Sequence, residues 1–290
     1  MAKIVYAGEL VTIIWPFDTG SNQANFVRAT VEEANKLQTK YTFVYDNKPG
    51  AGGTIAARTV LGTRDRIVLM SSTSSFFSRP IFYPNEESYN IDDFQPVMIQ
   101  CYGQPYSIIS SKYKTLADVK KQTDINIGIA LGTLQEAVAK ELQTKLPNTK
   151  LNFIGYTGTI KSEIDLESGV LDLSIGFPGD IQQHVDAGLI TVLGSTGRQS
   201  YAQYPTLQSQ GVSGFEDMVL SYTIYGPATL DKSLVTELHN ILSNAAAQSP
   251  ILPSLYANDR CTPMNLSSAE TSAAFTRWKK YWREKLASLK

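Results

Sequence analysis

A glycine-dense turn is the stretch of this sequence best suited to bind a ligand. Residues 47–54 read Asn-Lys-Pro-Gly-Ala-Gly-Gly-Thr and lie between an apolar run and a helical pattern. Glycines let a backbone approach a ligand closely, and the free N–H groups at the start of a helix attract anions. The turn therefore fits a cradle for a small anion, and a tight turn without any ligand fits it equally well.

Nucleotide-binding motifs do not fit this turn. The dinucleotide fingerprint needs a third glycine where Ile55 stands, and no Lys-Ser/Thr pair completes a phosphate-binding loop. The net charge of −1 gives no general attraction to nucleic acid or to an acidic membrane. We therefore expect no nucleic-acid partner, and any anion binding must come from local geometry.

A hydroxyl-rich run, residues 71–75, follows the predicted third strand. Ser72 and Thr73 would be hydrogen-bond donors at the carboxyl end of that strand, where open α/β sheets bind ligands. A solvated loop explains the same residues equally well.

Signals for catalysis or metal binding are weak. His184 and His239 lie in predicted helices without Cys or His at metal-ligand spacing, and no Gly-x-Ser-x-Gly motif occurs. Asp92 and Asp93 are adjacent in sequence, so they do not face each other as an acid/base pair would. We expect no enzyme activity, no metal site and no cofactor.

The two cysteines and the N-terminus bear on the cellular compartment. Cys101 and Cys261 could form one disulfide in an oxidising compartment, but two separate buried thiols are the favoured expectation. Residues 1–10 lack the basic and apolar segments of a signal peptide. Either a leader was removed, or the protein is not exported.

Strands and helices alternate along the chain and must position these residues. Such alternation predicts an α/β protein with largely parallel sheets, and 290 residues suffice for two domains. Short apolar runs predict strands at residues 10–15, 41–45, 67–70, 106–110, 125–130, 151–154, 170–176 and 189–194. Two longer extended runs, 94–102 and 218–225, are expected to cross between domains. Capping residues at Thr115, Asp231 and Ser267 predict three helix starts.

Six motifs resemble, in order, the receptors of tripartite tricarboxylate transporters, the TctC or Bug family of extracytoplasmic solute receptors. Residues 47–53 resemble its Asn-Arg-Pro-Gly-Ala-Gly-Gly signature. The other matching segments are Trp15-Pro16-Phe17 with Gly20 and Arg28, Asp93-Phe94-Gln95-Pro96-Val97, Tyr156-Thr157-Gly158 with Gly169 and Asp172, Tyr204-Pro205-Thr206-Leu207 with Gly211 and Phe215, and Tyr225-Gly226-Pro227-Ala228.

The resemblance implies the type II periplasmic-binding-protein fold, with two lobes joined by two crossover strands. The expected limits are 1–100 plus 225–290 for lobe 1 and 101–224 for lobe 2. It further implies that first-lobe loops hold one carboxylate of a small organic acid through backbone N–H groups and waters, while second-lobe loops select the rest. The ligand-binding residues expected on this basis are Phe17, Thr19, Gly20, Ser21, Asn22, Gln23, Gly52, Gly53, Thr54, Ser72, Thr73, Gly132, Thr133, Glu136, Tyr156, Pro178 and Asp180.

Two departures from the family pattern concern the ligand. Residues 18–24 lose a glycine and the usual acidic residue of the first loop, and Glu136 stands where a histidine is frequent. A glutamate near the cleft would repel a second carboxylate or pair with an amine on the ligand.

The expected function is that of a periplasmic, monomeric receptor, its leader removed, which delivers a small carboxylate to the permease subunits of the transporter. A stand-alone anion-binding module and an enzyme that uses the same anion cradle are the alternatives.

Overall fold

The computed structural model describes residues 8–86, 88–201 and 204–290. Strands and helices alternate as predicted. From the N-terminus to the first long strand, the elements are β1 (Glu9–Trp15), α1 (Asn22–Leu37), β2 (Tyr41–Asn47), α2 (Thr54–Gly62), β3 (Ile67–Thr73), α3 (Ser78–Phe82) and β4 (Phe94–Gln104). The middle of the chain forms β5 (Ser107–Ser110), α4 (Leu116–Val119), β6 (Asp124–Ala130), α5 (Leu134–Lys145), β7 (Lys150–Tyr156), α6 (Thr159–Glu167), β8 (Leu173–Gly176), α7 (Pro178–Asp186) and β9 (Thr191–Ser195). The chain returns through β10 (Leu220–Pro227), α8 (Lys232–Gln248), α9 (Leu252–Asn258), β11 (Thr262–Pro263) and α10 (Ser268–Ala287).

The described strands form two sheets, and each sheet with its helices is called a lobe below. Lobe 1 contains the six-stranded sheet in the order β11-β4-β10-β3-β1-β2, and lobe 2 contains the five-stranded sheet in the order β7-β6-β8-β5-β9. The prediction of largely parallel sheets is only partly right. β1 pairs in parallel with β2 and β3, and β6 with β7 and β8, but β4, β5, β10 and β11 pair antiparallel to their neighbours.

The two predicted crossovers are the long strands β4 and β10, which pair with each other from Gln104 opposite Leu220 to Phe94 opposite Pro227. β4 leads into β5 of lobe 2 after only two residues, and β10 brings the chain back to lobe 1. The lobe limits expected from the sequence remain a prediction.

Helix α1 packs one apolar face into the core of lobe 1. Phe26, Val27, Val31 and Ala34 share one face at three- and four-residue spacing, and all are buried. Burying a side chain such as Phe26 contributes roughly 1.5–3 kcal/mol. The first residue of α1 is thereby held at the edge of lobe 1 that faces lobe 2.

The predicted helix starts are confirmed. Capping boxes join Thr115 to Asp118 and Ser267 to Glu270, and the Asp231 side chain accepts from the Ser233 N–H. Within the described part of the chain, no helix combines the length and the hydropathy needed to cross a membrane.

The expectation of two separate thiols is wrong. Cys101 and Cys261 form a disulfide, with an S–S distance of 2.08 Å and a Cα–Cα distance of 5.6 Å. The short strand β11 pairs with β4 so that Pro263 lies opposite Cys101, which brings Cys261 to the same sheet edge. The two cysteines are 160 residues apart, so nothing local in the sequence indicates this pairing.

Candidate functional site

A narrow cavity of about 60 Å³ lies between the two lobes. Trp15, Thr73 and Ala130 line it at the carboxyl ends of β1, β3 and β6, which is where α/β sheets bind ligands. The full set of lining residues is Trp15, Phe17, Asp18, Ser21, Gln23, Thr73, Ser75, Tyr106, Ala130, Thr133, Gln135, Thr157, Gly158, Thr159, Phe177 and Tyr222.

The cavity wall combines aromatic rings with neutral polar groups. Trp15 packs edge-to-face on Phe17 at 5.3 Å and stacks on Tyr222 at 6.4 Å, while Tyr106 lies 5.3 Å from Phe177. Between these rings the wall presents the hydroxyl and amide side chains of Ser21, Gln23, Thr73, Ser75, Thr133, Gln135, Thr157 and Thr159. Such a lining buries a small organic molecule and orients its polar ends.

Asp18 is the one carboxylate among the lining residues, and none of them is Lys, Arg or His. A Cβ atom on Gly158 would lie 2.0 Å from the Asp18 Oδ2 atom, so this oxygen lies directly on the Gly158 backbone of lobe 2. The Asp18 backbone carbonyl accepts from Trp15 Nε1 and Ser21 Oγ, both at 3.2 Å. Among the described residues, no hydrogen bond or ion pair involves the Asp18 carboxylate itself.

The start of helix α5 is bonded across the cleft to lobe 1. The Leu134 N–H donates to Ser75 Oγ at 3.1 Å, and Ser78 Oγ donates to the Gly132 carbonyl at 2.9 Å. All residues from Ser71 to Ser75 are buried. The hydroxyl-rich run is therefore a contact between lobes and part of the cavity wall, and the solvated-loop interpretation is wrong.

Two buried aspartates link α1 of lobe 1 to α7 of lobe 2. Asp180, in the first turn of α7, accepts from the Asn22 N–H at the start of α1 at 3.2 Å. In return Asp259, which follows α9, accepts from the Gly179 N–H at 3.1 Å and from Asn22 Nδ2 at 3.0 Å. Gln23 Nε2 donates to both carboxylates, to Asp180 at 3.4 Å and to Asp259 at 3.3 Å. Each helix start thus holds a carboxylate of the opposite lobe.

Burial raises the pKa of both carboxyl groups. Burial, and next the nearby Asp180 charge, raise the pKa of Asp259 to about 7. Burial likewise raises the pKa of Asp180, against the opposing hydrogen bonds from Asn22 and Gln23. Both groups therefore hold protons more tightly when the lobes are in contact than an exposed aspartate does.

The glycine turn also makes a contact between lobes. A Cβ atom on Gly52, whose φ is +59°, would lie 3.4 Å from the carbonyl oxygens of Leu131 and Gly132 and 3.3 Å from Arg79 Cδ. At Gly132, whose φ is +77°, a Cβ atom would lie 2.6 Å from Arg79 Cδ. The turn thus uses its glycines for close approach to lobe 2, and none of residues 50–54 lines the cavity.

Comparison with known proteins decides the family. The model of the tripartite tricarboxylate transporter family receptor, TctC, matches residues 27–283. The chain belongs to this receptor family. None of the curated proteins matches the chain.

Solved structures show the fold of this receptor. A structure of the periplasmic binding protein BugD superposes with a TM-score of 0.84 at 23% identity and covers 97% of both chains. Rpa4515 of R. palustris with adipate gives a TM-score of 0.84 at 21% identity, again over 97% of both chains. MatC from Rhodopseudomonas palustris with bound malate gives 0.84 at 18% identity, over 96% of this chain and 99% of MatC. The expected type II periplasmic-binding-protein fold is therefore confirmed.

The structure brings part of the expected ligand-binding set to the receptor's cavity. Phe17, Ser21, Gln23, Thr73 and Thr133 line it. Others lie in contacts between the lobes: Asn22 and Asp180 in the carboxylate network, Gly20 near Ile160, and Gly52 close to Gly132. The rest lie in loops or inside elements: Thr19 exposed in the first loop, Gly53 against Pro16, Thr54 buried at the start of α2, Ser72 inside β3, and Pro178 at the start of α7.

Glu136 and Tyr156 are bonded within the protein. Glu136 is buried, and its Oε2 accepts from the Gly132 N–H at 2.8 Å and from Tyr83 OH at 2.9 Å. Tyr156 OH donates to Asp165 at 2.6 Å. Neither lines the cavity, so the carboxylate in its wall is Asp18 rather than Glu136.

Sequence reasoning missed several lining residues. Trp15 ends β1 and Asp18 lies in the loop that follows, beside the expected residues. Thr157 and Gly158 lie in the matching Tyr-x-Gly segment, so both segments could have been extended to include these lining residues. Tyr106, Phe177 and Tyr222 carried no signal, because they read as apolar strand or strand-end residues.

The remaining candidates have structural roles. His239 is buried with its two ring nitrogens 2.9 and 3.0 Å from the carbonyls of Val97 and Leu266, and His184 pairs with Glu167. Within the described ranges, no group of three or more His, Cys, Asp or Glu could hold a metal ion.

Proposed function

We propose that this protein is a periplasmic solute receptor that captures a small organic carboxylate in the cavity between its lobes and delivers it to the permease subunits of a tripartite tricarboxylate transporter. The observation that carries the proposal is the cavity itself, which lies between two lobes of a family receptor and is lined by neutral hydrogen-bond donors. The adipate and malate held by Rpa4515 and MatC support the same chemical class of ligand.

Neutral donors can hold one carboxylate without a cationic partner. A buried carboxylate needs hydrogen bonds to replace water, and hydrogen bonds to an ionised group contribute about 1.5–3 kcal/mol each. Thr73, Ser75 and Thr159 present hydroxyls to the cavity from both lobes. A ligand bonded to all three joins the lobes, which stabilises the closed arrangement through contacts made only when the lobes meet.

The disulfide supports the periplasmic location, because such bonds persist in oxidising compartments and are rare in the cytosol. It covalently joins the crossover strand β4 to the segment before β11.

The enzyme alternative requires a perturbed acid or base in contact with the substrate. Asp180 and Asp259 are perturbed carboxyls. However, neither lines the cavity, and their oxygens accept from Asn22, Gln23 and Gly179. This placement favours a role in lobe contact over a role in chemistry.

A thermal-shift screen of small mono-, di- and tricarboxylates and amino acids tests the proposal. A ligand at about a hundred times its dissociation constant adds roughly 2.7 kcal/mol of stability, which raises the melting temperature by several degrees. Thr159→Val removes a hydroxyl that faces the cavity and should weaken binding of any hit by about 1.5–3 kcal/mol, or roughly 10- to 150-fold. Thr276→Val, on the exposed surface of α10, is the matched control.

Absence of a shift with every acid would contradict the proposed binding function. Delivery requires a separate measurement, in which uptake of the labelled hit into vesicles that contain the permease subunits depends on added receptor.

A further inference from the structure

The charge on the cavity wall bears on which carboxylate fits. Asp18 contributes the only formal charge among the lining residues, and it is negative. A dicarboxylate would place one anionic end on neutral donors and bring a second anion into the same narrow space as Asp18. Like charges at such range repel, and the effect is strong where water is excluded. The cavity is therefore poorly matched to a ligand that carries only negative charge.

The Asp18 carboxylate is available to bind a cationic group of a ligand. It is half-buried, and no Lys, Arg or His lines the cavity beside it. Aromatic rings form much of the remaining wall, including Trp15, Phe17 and Tyr222. Aromatic faces and a carboxylate together are the groups that recognise an ammonium ion.

The neighbours of Asp18 fix where the positive charge lies on the ligand. Asp18 Oδ2 rests on Gly158, and Thr157 and Thr159, on either side of Gly158, also line the cavity. Acceptors for an ammonium group and hydroxyl donors for a carboxylate thus share one stretch of wall. A ligand that uses both must carry its two charges on neighbouring atoms.

We infer that the substrate is an α-amino acid, whose ammonium group pairs with Asp18 and whose carboxylate is bound by the adjacent hydroxyl donors. This inference rests on the proposed receptor function and narrows its ligand class. Asp18 acts as a specificity residue: it favours acids that carry an α-ammonium group over acids of the same size that lack one.

Matched ligand pairs test the inference by isothermal titration calorimetry on the full chain. Aspartate is compared with succinate and malate, and glutamate with glutarate, so that each pair differs at the α-substituent. A second series of 2-, 3- and 4-aminobutyrate with butyrate moves the ammonium group along one chain. We expect α-amino acids to bind at least tenfold more tightly than their deaminated partners, and 2-aminobutyrate to bind most tightly in its series.

Two variants locate the effect. Asp18→Asn should remove the preference and let succinate bind at least as tightly as aspartate. Gly158→Ala keeps the charge but places a Cβ atom 2.0 Å from Asp18 Oδ2, so the carboxylate must move and the preference should shrink. Asp65→Asn removes the same charge in the exposed turn before β3, at the opposite end of that strand from the cavity, and should change nothing.

The outcomes separate the two proposals. If succinate, malate, glutarate and butyrate bind the unchanged protein as tightly as their amino-acid partners, and Asp18→Asn has no effect, the amino-acid inference is overturned and the carboxylate receptor is left in place. If no acid of either class binds the unchanged protein or Asp18→Asn, both proposals fail. Unchanged melting temperatures of the unliganded variants confirm that they are folded.

Discussion

Raising the pH from 6 to 8.5 should weaken ligand binding by this receptor, because contact between its lobes takes up protons. Asp259 is buried against the Gly179 N–H of lobe 2 and beside Asp180, and its pKa rises to about 7. The neighbouring Arg260 guanidinium does not neutralise it, since it lies 3.8 Å over the Tyr204 ring. When the lobes separate, water reaches Asp259 and its pKa falls toward that of an exposed aspartate, about 3.9.

The sign follows from proton binding. A group whose pKa is higher in the closed form stabilises that form below the open-form pKa, and the contribution disappears as the pH rises through the closed-form value. The loss therefore runs from about pH 4 to about pH 7. The two pKa values differ by about three units, so the free energy of lobe closure can fall by at most roughly 4 kcal/mol. Between pH 6 and 8.5 about one unit of that range remains, so the affinity should fall about tenfold and then level off. Asp180, whose pKa is also raised, acts in the same direction.

Calorimetry in buffers of different ionisation enthalpy measures the effect. At pH 6 the dependence of binding enthalpy on buffer should show net uptake of protons on binding, and at pH 8.5 uptake should be close to zero. Small-angle scattering of the unliganded protein should show a larger radius of gyration at pH 8.5 than at pH 6. Simple carboxylate ligands are ionised throughout this range, so their own titration contributes little.

Asp259→Asn tests the assignment. The variant keeps an acceptor for the Gly179 N–H but cannot ionise, so the pH dependence of its affinity should shrink to the part that Asp180 contributes. Asp65→Asn, in an exposed turn, should retain the full dependence. Affinity that rises with pH, or proton uptake at pH 6 that is undiminished in Asp259→Asn, would refute the reasoning.

Three further predictions concern stability. Replacing Cys101 and Cys261 by Ser opens a loop of 160 residues, which should lower the free energy of unfolding in urea by about 5 kcal/mol on the chain-entropy model. Gly132→Ala places a Cβ atom 2.6 Å from Arg79 Cδ at a φ of +77°, and should cost about 1–2 kcal/mol, seen as a lower melting temperature. Burial raises the pKa of Glu163 to about 8, so stability falls as the pH rises toward 8. The isosteric Glu163→Gln cannot ionise, so the free energy of unfolding in urea of the variant, relative to that of the unchanged protein, should rise by about 3 kcal/mol from pH 6 to pH 9. The same difference between the two proteins at both pH values would contradict this.

Local signals were enough to predict the elements of the fold. Helix starts at Thr115, Asp231 and Ser267 depend on side chains within three residues of one another, and the structure has all three. The crossovers were predictable because residues 94–102 and 218–225 form longer extended runs than the other predicted strands. The direction of those strands was not, since antiparallel pairing of β4 with β10 depends on where the chain re-enters lobe 1.

Contacts between distant segments could not be predicted from the sequence. The pairing of Cys101 with Cys261 follows from β11, a strand of two residues that leaves no periodic pattern. Asp180 was expected to face a ligand because it lies in a second-lobe loop, yet it accepts from Asn22, 158 positions earlier. This contact depends on how the starts of α1 and α7 meet between the lobes, which no local sequence pattern indicates.

The occupied helix starts change what a ligand must supply. The starts of α1 and α7 hold the carboxylates of Asp180 and Asp259, and the first N–H of α5 donates to Ser75. These hydrogen bonds exist only while the lobes touch, and the raised pKa values of Asp180 and Asp259 mean that they favour closure most when the carboxyl groups are protonated. The protein's own side chains therefore stabilise closure before any ligand arrives. Helix α6 differs, because its N-cap residue is Gly158 and offers no side-chain acceptor to the free N–H groups. Since Gly158 and Thr159 line the cavity, we expect a ligand to place its carboxylate at the start of α6, next to Asp18.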